Sequence, residues 1–90
     1  MDDPLKTCCV YILECRGGSL YTGWTNNLSK RLAEHAQGKG ARYTRSRLPV
    51  KLVYHEVCES ASDAMKREAQ IKKYSRQQKL ALKENKAAAQ

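Results

Sequence analysis

The sequence of 90 residues contains no phenylalanine and no apolar stretch near the roughly 20 residues that a membrane-spanning helix requires. Without phenylalanine, the core must consist of aliphatic side chains supplemented by five tyrosines and one tryptophan. The first four residues, Met1-Asp2-Asp3-Pro4, lack the basic and apolar regions of a targeting signal. We therefore expect a cytoplasmic protein with an aliphatic core and no membrane contact.

The cysteines also lack a pattern. Cys8, Cys9, Cys15 and Cys58 show no C-x-x-C spacing of the kind that zinc sites commonly use. Adjacent residues of a strand point to opposite faces, so Cys8 and Cys9 would diverge. In a reducing compartment cysteine behaves as a small apolar residue. The sequence thus disfavours structural zinc and predicts buried free thiols.

The chain is too short for more than one small core, so a single domain of modest stability is expected. Its 17 Lys and Arg residues outnumber 9 Asp and Glu residues, which gives a formal net charge of +8. Such an excess favours phosphate backbones through long-range attraction and counterion release. A solvated surface kept soluble by charge is the alternative, and net charge alone does not separate the two.

Three runs rich in β-branched and aromatic residues predict strands. The first two, 9–15 and 19–24, are separated by Arg16-Gly17-Gly18, which predicts a β-hairpin. The third, 50–58, follows a basic and irregular stretch at 41–49. We expect these strands to form one small antiparallel sheet.

Capping residues predict three helices. Asn26-Asn27 can cap the first, which carries Leu28 and Leu32 and should end near Gly38 and Gly40. Ser60, with Asp63 three residues later, can cap the second, which should run to about residue 74. Ser75 can cap a third, to about residue 84.

The expected order of elements is therefore β-β-α-β-α-α. This order predicts an α/β (α+β) fold in which helices flank a small three-stranded antiparallel sheet. The domain should span residues 8–84, preceded by an N-terminal extension at 1–7 and followed by a frayed tail at 85–90.

Basic residues concentrate in two regions, and both are expected to face phosphates. The central stretch carries Arg42, Arg45, Arg47 and Lys51. The C-terminal helices carry a larger set, against only two glutamates: Lys66, Arg67, Lys72, Lys73, Arg76, Lys79, Lys83 and Lys86. Tyr43, between the loop arginines, can either stack on a base or sugar or pack against the core.

Glu68 occupies an unusual position in the second predicted helix. At about 100° per residue, it falls near the centre of an apolar stripe made of Ala61, Ala64, Met65, Ala69 and Ile71. A charge there is costly unless it is compensated. Compensation can come from a divalent cation, or from Lys72 through an i,i+4 ion pair. The spacing leaves both open.

Two further groups carry chemistry. Arg31 and His35 are four residues apart on the first predicted helix and so share a face, which fits gripping a phosphate and moving a proton. Tyr11 and Tyr21 of the hairpin can orient or deprotonate water beside a cation or an arginine. Taken singly, residues such as Arg31 and His35 are more often surface residues, and a tyrosine pair such as Tyr11 and Tyr21 more often belongs to the core.

Taken together, these residues resemble the GIY-YIG nuclease superfamily. The two eponymous motifs look like Cys9-Val10-Tyr11 and Tyr21-Thr22-Gly23, with cysteine in place of the first glycine and threonine in place of the second isoleucine. Arg31, His35 and Glu68 match the later family positions in order. The resemblance covers residues 8–82 and is closest to short stand-alone bacterial members and to enzymes that cut branched DNA.

The resemblance implies a phosphodiester hydrolase that uses one Mg²⁺ or Mn²⁺, held at Glu68. Arg31 would stabilise the charge on the attacked phosphate, and Tyr11, Tyr21 and His35 would position or deprotonate water. Gly23 would allow close backbone approach to the nucleic acid, which Arg42, Tyr43, Arg45, Arg47, Lys72 and Lys73 would contact. The family's late asparagine has no clear match, because Asn85 falls in the expected tail.

A shared site also requires Tyr11 and Tyr21 to leave the same face of the sheet. A two-residue Gly17-Gly18 turn would place them on opposite faces. We therefore predict a three-residue connection with a left-handed glycine that pairs Cys15 with Ser19.

Three functions follow from the sequence. The first is a DNA endonuclease acting on branched or flapped structures in repair or recombination, with DNA favoured over RNA. The second is a nucleic-acid-binding module that keeps the fold without turnover. The third is association with a protein through Leu80 and Leu82 of the C-terminal helix, although the chain itself is expected to be a monomer.

Overall fold

The computed structural model of the protein describes residues 7–88. In this part of the chain, three strands form one antiparallel sheet in the order β2-β1-β3: β1 (Cys9–Glu14), β2 (Leu20–Thr25) and β3 (Lys51–Val57). The helices are α1 (Leu28–Ala36), α2 (Arg42–Arg45), α3 (Ala61–Lys72) and α4 (Arg76–Ala88). The predicted class, a small antiparallel sheet flanked by helices, is confirmed.

The hairpin between β1 and β2 has the predicted three-residue connection. The backbone N–H of Cys15 donates to the carbonyl of Ser19 at 2.8 Å, so these two residues pair and residues 16–18 form the turn. Gly17 and Gly18 both have φ of 90°, a left-handed conformation that glycine adopts without a steric penalty. The resulting register places Tyr11 opposite Gly23. Tyr21, two residues from Gly23, therefore shares the face of Tyr11, as predicted.

The central strand β1 is buried on both faces. Val10 and Ile12 pack with Ala64 and Ile71 of α3 on one face. On the other face Tyr11 belongs to a second buried cluster together with Cys9, Leu13 and Leu28 of α1. The sheet thus separates an α3 face from an α1 face, and the candidate site lies on the α1 face.

The predicted caps position the helices. Asn27 Oδ1 accepts from the N–H of Lys30 at 3.1 Å and so fixes the start of α1. Ser60 Oγ accepts from the N–H of Asp63 at 3.1 Å at the start of α3. No helix among the described residues combines the length and the apolar character needed to cross a bilayer.

Other expectations are wrong in detail. The stretch 41–49 is not wholly irregular, because it contains the single helical turn α2. Helix α4 continues to Ala88, so Asn85 lies within a helix and not in a frayed tail, while residues 89–90 lie outside the described part. Cys9 and Cys15 are buried thiols as predicted, but Cys8 and Cys58 are only half-buried.

Candidate active site

Three rings from three elements, β1, β2 and α1, meet on the α1 face of the sheet. The ring centroids of Tyr11 and Tyr21 are 6.5 Å apart. Those of Tyr11 and His35 are 5.8 Å apart, and those of Tyr21 and His35 are 5.4 Å apart, both in edge-to-face geometry. The hairpin register and the last turn of α1 therefore bring together three residues that the sequence spreads over 25 positions.

His35 is the most enclosed member of this group. Its side chain is fully buried, with Nε2 2.9 Å from the hydroxyl oxygen of Tyr11 and Nδ1 2.8 Å from Oγ1 of Thr44. Burial and the nearby Arg31 guanidinium both lower the pKa of His35 below its usual value, and Glu34 opposes them only in part. His35 is accordingly a neutral imidazole at neutral pH, with one donor and one acceptor nitrogen.

Gly40 makes room for this imidazole. A Cβ at position 40 would lie 2.3 Å from Nδ1 of His35 and 2.7 Å from two ring carbons, well inside van der Waals contact. The ring cannot retreat easily, because Tyr11 and Thr44 hold both nitrogens. The absence of a side chain at Gly40 is therefore a packing requirement of the site.

We predict that Gly40→Ala destabilises the fold by about 1–3 kcal/mol, because the added methyl group overpacks a rigid buried ring. Urea denaturation measures the change in the free energy of unfolding. The matched control is the same substitution in a His35→Ala background, where the cavity can accept the methyl group. Strictly additive effects of the two substitutions would contradict this explanation.

Arg31 lies beside the phenol of Tyr11 at the partly exposed rim of the site. Its side chain is 30% exposed, and Nη1 donates to Oε1 of Glu34 at 3.1 Å while Nη2 donates to the carbonyl of Gly40 at 3.3 Å. Burial alone would lower the pKa of Arg31, but its interactions with Tyr11 and Glu34 outweigh burial and raise it. The guanidinium is thus oriented on the site and still reachable by an anionic ligand.

The phenol of Tyr11 is strongly influenced by its surroundings. Burial raises its pKa to about 12, the Arg31 guanidinium partly offsets this rise, and Tyr21 and Glu68 add to it. The influence of Glu68 is the smallest of these. Tyr11 and Arg31 therefore form one electrostatic unit.

Glu68 lies on α3, the helix that packs across β2 and β1. Its side chain is only 21% exposed, and Oε2 lies 3.7 Å from Nζ of Lys72. The i,i+4 ion pair considered from the sequence is therefore formed. Ala64 and Ile71 are buried as predicted, but Met65 is 48% exposed and Ala69 is also exposed, so these two do not belong to a buried stripe.

Glu68 would offer a divalent cation a single carboxylate, which is paired with Lys72 in this structure. Within the described residues, no group of three or more His, Cys, Asp or Glu side chains could hold a metal. Mg²⁺ commonly binds through one or two carboxylates and completes its shell with water and substrate phosphate oxygens. A single, partly exposed carboxylate such as Glu68 fits this mode and does not fit an all-protein zinc site.

Gly23 serves the interior of the site. A Cβ there would lie 2.6 Å from Oη and 2.8 Å from Cζ of Tyr11, and 3.2 Å from Cε2 of Tyr21. Gly23 is itself buried. The phenol of Tyr11 thus fills the space left by the missing side chain. This packing accounts for the glycine, in place of the predicted close approach of a nucleic acid backbone.

The segment after α1 forms a wall beside the rings. The Tyr43 ring stacks on Tyr21 with centroids 5.9 Å apart, and the guanidinium carbon of Arg47 lies 3.8 Å from the Tyr43 ring centroid. Arg47 Nη1 also donates to the Tyr43 carbonyl at 2.9 Å. The Tyr43 side chain therefore packs between site residues, while Arg42 and Arg45 are exposed on α2.

The C-terminal basic residues do not act as one group. Lys73 is exposed at the end of α3, and Lys72 is paired with Glu68. Arg67, expected to face phosphate, instead donates from Nε to Oε1 of Glu56 at 2.5 Å and lies against Tyr74. Its pKa is raised mainly by the bond to Glu56. Arg67 thus ties α3 to β3.

Sequence reasoning missed two residues of the site, Thr44 and Gly40. Thr44 is fully buried in a one-turn helix between exposed neighbours, and such a short element gives no apolar periodicity to detect. The sequence indicates only that Gly40 lies where the first predicted helix ends. The roles of both depend on the imidazole of His35, which no local pattern reveals.

The leucines of the C-terminal helix are less available than the sequence suggested. Leu82 packs against the cluster on the α3 face of the sheet, and both Leu80 and Leu82 are half-buried. The core therefore uses at least one of the two residues that suggested a protein-binding surface. Two half-buried leucines do not form the extended apolar patch that marks an interface.

Comparison with known proteins places this arrangement in a family. Residues 7–81 match the family model of the GIY-YIG catalytic domain. A UPF0213 protein of Syntrophus aciditrophicus is 64% identical over 74 residues, which cover 81% of this chain and 85% of that protein. A UPF0213 protein of Clostridium perfringens is 60% identical over 73 residues, which cover 81% and 78%.

Two solved structures agree with the fold. A UPF0213 protein from Bacillus halodurans, studied by solution NMR, is 47% identical with a TM-score of 0.53 and covers 83% of this chain and 80% of that one. A protein from E. faecalis is 43% identical with a TM-score of 0.56 and covers 82% and 79%. The chain belongs to the GIY-YIG catalytic domain family, which is a family of nucleases.

Proposed function

We propose that this protein is a metal-dependent endonuclease that hydrolyses phosphodiester bonds in DNA, with branched or flapped structures in repair or recombination as its substrates. The observation that carries the proposal is the convergence of Tyr11, His35 and Arg31 on one face of the sheet. Phosphoryl transfer requires this combination of a charge clamp and a proton acceptor.

Arg31 supplies the protein's own part of the charge clamp. Its guanidinium is oriented by Glu34 and by the Gly40 carbonyl, and it remains partly exposed at the rim. A phosphate at the rim can therefore accept hydrogen bonds from the N–H groups that these contacts leave unused. Because the donors are already oriented, they stabilise the charge that develops during attack without reorganising.

The rings supply the path for the proton of the attacking water. Tyr21 is the more exposed phenol and lies nearest to solvent, whereas Tyr11 is 1% exposed beneath it. We infer that the water is held beside Tyr21. The hydroxyl of Tyr11 takes the water's proton as it passes its own proton to Nε2 of His35. His35 is fully buried, so it acts through Tyr11 and does not meet the substrate.

Glu68 would hold the divalent cation, Mg²⁺ or Mn²⁺. When bound, the cation supplies positive charge that polarises a phosphoryl oxygen and neutralises developing negative charge. In the structure Lys72 forms an ion pair with the same carboxylate, and this pair would have to break before a cation binds. Once released, its ammonium is free to contact a phosphate, which agrees with a role for Lys72 and Lys73 in nucleic acid binding.

The nucleic acid is proposed to lie across α2 and the C-terminal end of α3. Arg42 and Arg45 are exposed on α2 and Lys73 is exposed at the end of α3, and the net charge of +8 attracts a polyanion. A small single domain offers little surface for reading bases. Recognition of backbone and shape is therefore the expected mode, which suits branched DNA.

The ion pair between Glu68 and Lys72 favours a second candidate, a nucleic-acid-binding module without turnover. In such a module the lysine would neutralise the carboxylate permanently and no cation would bind. The basic surface would then act alone. The two functions share the fold and differ in whether bonds are cut.

A cleavage panel separates the two candidates. Purified protein is incubated with single-stranded, duplex, flap and four-way DNA and matching RNA, with Mg²⁺, Mn²⁺ or a chelator. We expect cuts in branched or single-stranded DNA that require the metal and stop with the chelator. Binding in a mobility-shift assay without any cleavage would support the module instead, and absence of both binding and cleavage would contradict both candidates.

A further inference from the structure

Thr44 holds the buried imidazole from the side opposite Tyr11. Thr44 lies in α2, and its side chain is fully buried although its neighbours in this helix are exposed. Oγ1 lies 2.8 Å from Nδ1 of His35 and also donates to the carbonyl of Ala41 at 3.1 Å. Thr44 thus links a ring nitrogen of His35 to the backbone.

Counting protons along this chain fixes the direction of each hydrogen bond. A hydroxyl has a single proton, and Thr44 uses it on the carbonyl of Ala41. Towards His35, Oγ1 can therefore only accept, so Nδ1 must carry a proton. In a neutral imidazole Nε2 is then the acceptor, and the hydroxyl of Tyr11 must donate to it.

We propose that Thr44 is a positioning residue that fixes His35 as the Nδ1–H tautomer and so keeps Nε2 free to accept the proton of Tyr11. The catalytic consequence of this assignment rests on the proposed function, whereas the tautomer itself is a property of the folded chain. Thr44 does not touch substrate and acts only through His35.

The proton transfer requires this tautomer. As the water's oxygen bonds to phosphorus and the bond from phosphorus to the leaving oxygen breaks, one O–H bond of the water breaks and its proton bonds to Oη of Tyr11. The O–H bond of Tyr11 breaks at the same time, and the proton of the phenol bonds to Nε2 of His35. The imidazolium so formed keeps its Nδ1–H on Oγ1 of Thr44, so no bond of the relay has to rearrange. In the other tautomer Nε2–H would face the hydroxyl of Tyr11, and the relay would have no acceptor.

The charges that face His35 agree with this arrangement. On its own helix, Arg31 disfavours and Glu34 favours a positive imidazole. From the sheet the phenols of Tyr11 and Tyr21 face the ring, and from α2 the neutral hydroxyl of Thr44 does. The ring is thus neutral at rest, and a hydroxyl acceptor selects its tautomer without adding charge.

The test compares Thr44→Val, which keeps the shape but removes the acceptor, with Thr44→Ser, which keeps the hydroxyl. Long-range ¹⁵N–¹H correlation spectra distinguish the protonated from the unprotonated ring nitrogen, and the His35→Asn variant assigns the signals. We expect Nδ1–H in the wild type and in Thr44→Ser, and loss of this preference in Thr44→Val. Cleavage should fall about 10- to 100-fold in Thr44→Val, as for other residues that orient a functional histidine, and persist in Thr44→Ser.

A proton on Nε2 in the wild-type spectrum would overturn the proposal, even if Thr44→Val failed to fold. An unchanged Nδ1–H in Thr44→Val, or full cleavage by a Thr44→Val protein with an altered tautomer, would overturn it as well. A merely structural role predicts that Thr44→Ser and Thr44→Val differ in stability and not in tautomer. The expected spectra in a wild-type protein that cuts no substrate would support the tautomer assignment and reject the proposed nuclease function separately.

Discussion

Replacing Glu68 with glutamine is expected to lower metal-dependent DNA cleavage by about 10²- to 10³-fold. Glutamine keeps the length of the side chain and removes the negative charge that a divalent cation requires. The fold should persist, because the lost ion pair with Lys72 involves a half-exposed lysine and is worth less than about 1 kcal/mol. Single-turnover cleavage with Mn²⁺ measures the rate, and calorimetric titration with Mn²⁺ measures the lost binding.

Glu59→Gln is the matched control, since Glu59 is exposed just before the capping residue of α3. It removes the same charge from the protein and should leave both cleavage and Mn²⁺ binding unchanged. Equal losses in the two variants would assign the effect to overall charge. A Glu68→Gln variant that cuts at the wild-type rate would remove Glu68 from the proposed mechanism.

Much of the fold could be predicted because its signals are local. The hairpin followed from the glycines and from the requirement that its connection has three residues, which places Tyr11 and Tyr21 on one face of the sheet. The starts of α1 and α3 followed from Asn27 and Ser60, whose side chains accept the expected backbone N–H groups. Each of these features depends on neighbours within a few positions in the sequence.

The remaining features depend on contacts between distant residues. Helix α2 is one turn long and is held by the bond of Thr44 to His35, nine positions earlier. Met65 fits the apolar stripe by helical geometry, but no element covers it sufficiently to bury it. Gly23 and Gly40 are required because of the rings of Tyr11 and His35. A single sequence shows which residues are present in a site, and only the packed structure shows how they hold one another.

Replacing Tyr11 with phenylalanine is expected to lower cleavage by about 10²- to 10⁴-fold, the range typical of a group that transfers a proton. The ring would stay in place, but Nε2 of His35 would lose its partner and Arg31 would lose the oxygen that helps to orient it. An unsatisfied buried acceptor costs about 1–3 kcal/mol, so the variant should fold with reduced stability. Cleavage is therefore measured well below the unfolding temperature found by circular dichroism.

Tyr54→Phe controls for the loss of a buried phenol. Burial raises the pKa of Tyr54 to about 12, as for Tyr11, but Tyr54 packs on the α3 face and its hydroxyl donates to Glu56. Its loss should cost stability and leave cleavage unchanged, because Glu56 remains paired with Arg67 on the other side of the sheet. If both variants lose activity in proportion to stability, Tyr11 is a packing residue. If only Tyr11→Phe loses activity, the phenol acts in proton transfer, since the sheet separates two otherwise similar tyrosines.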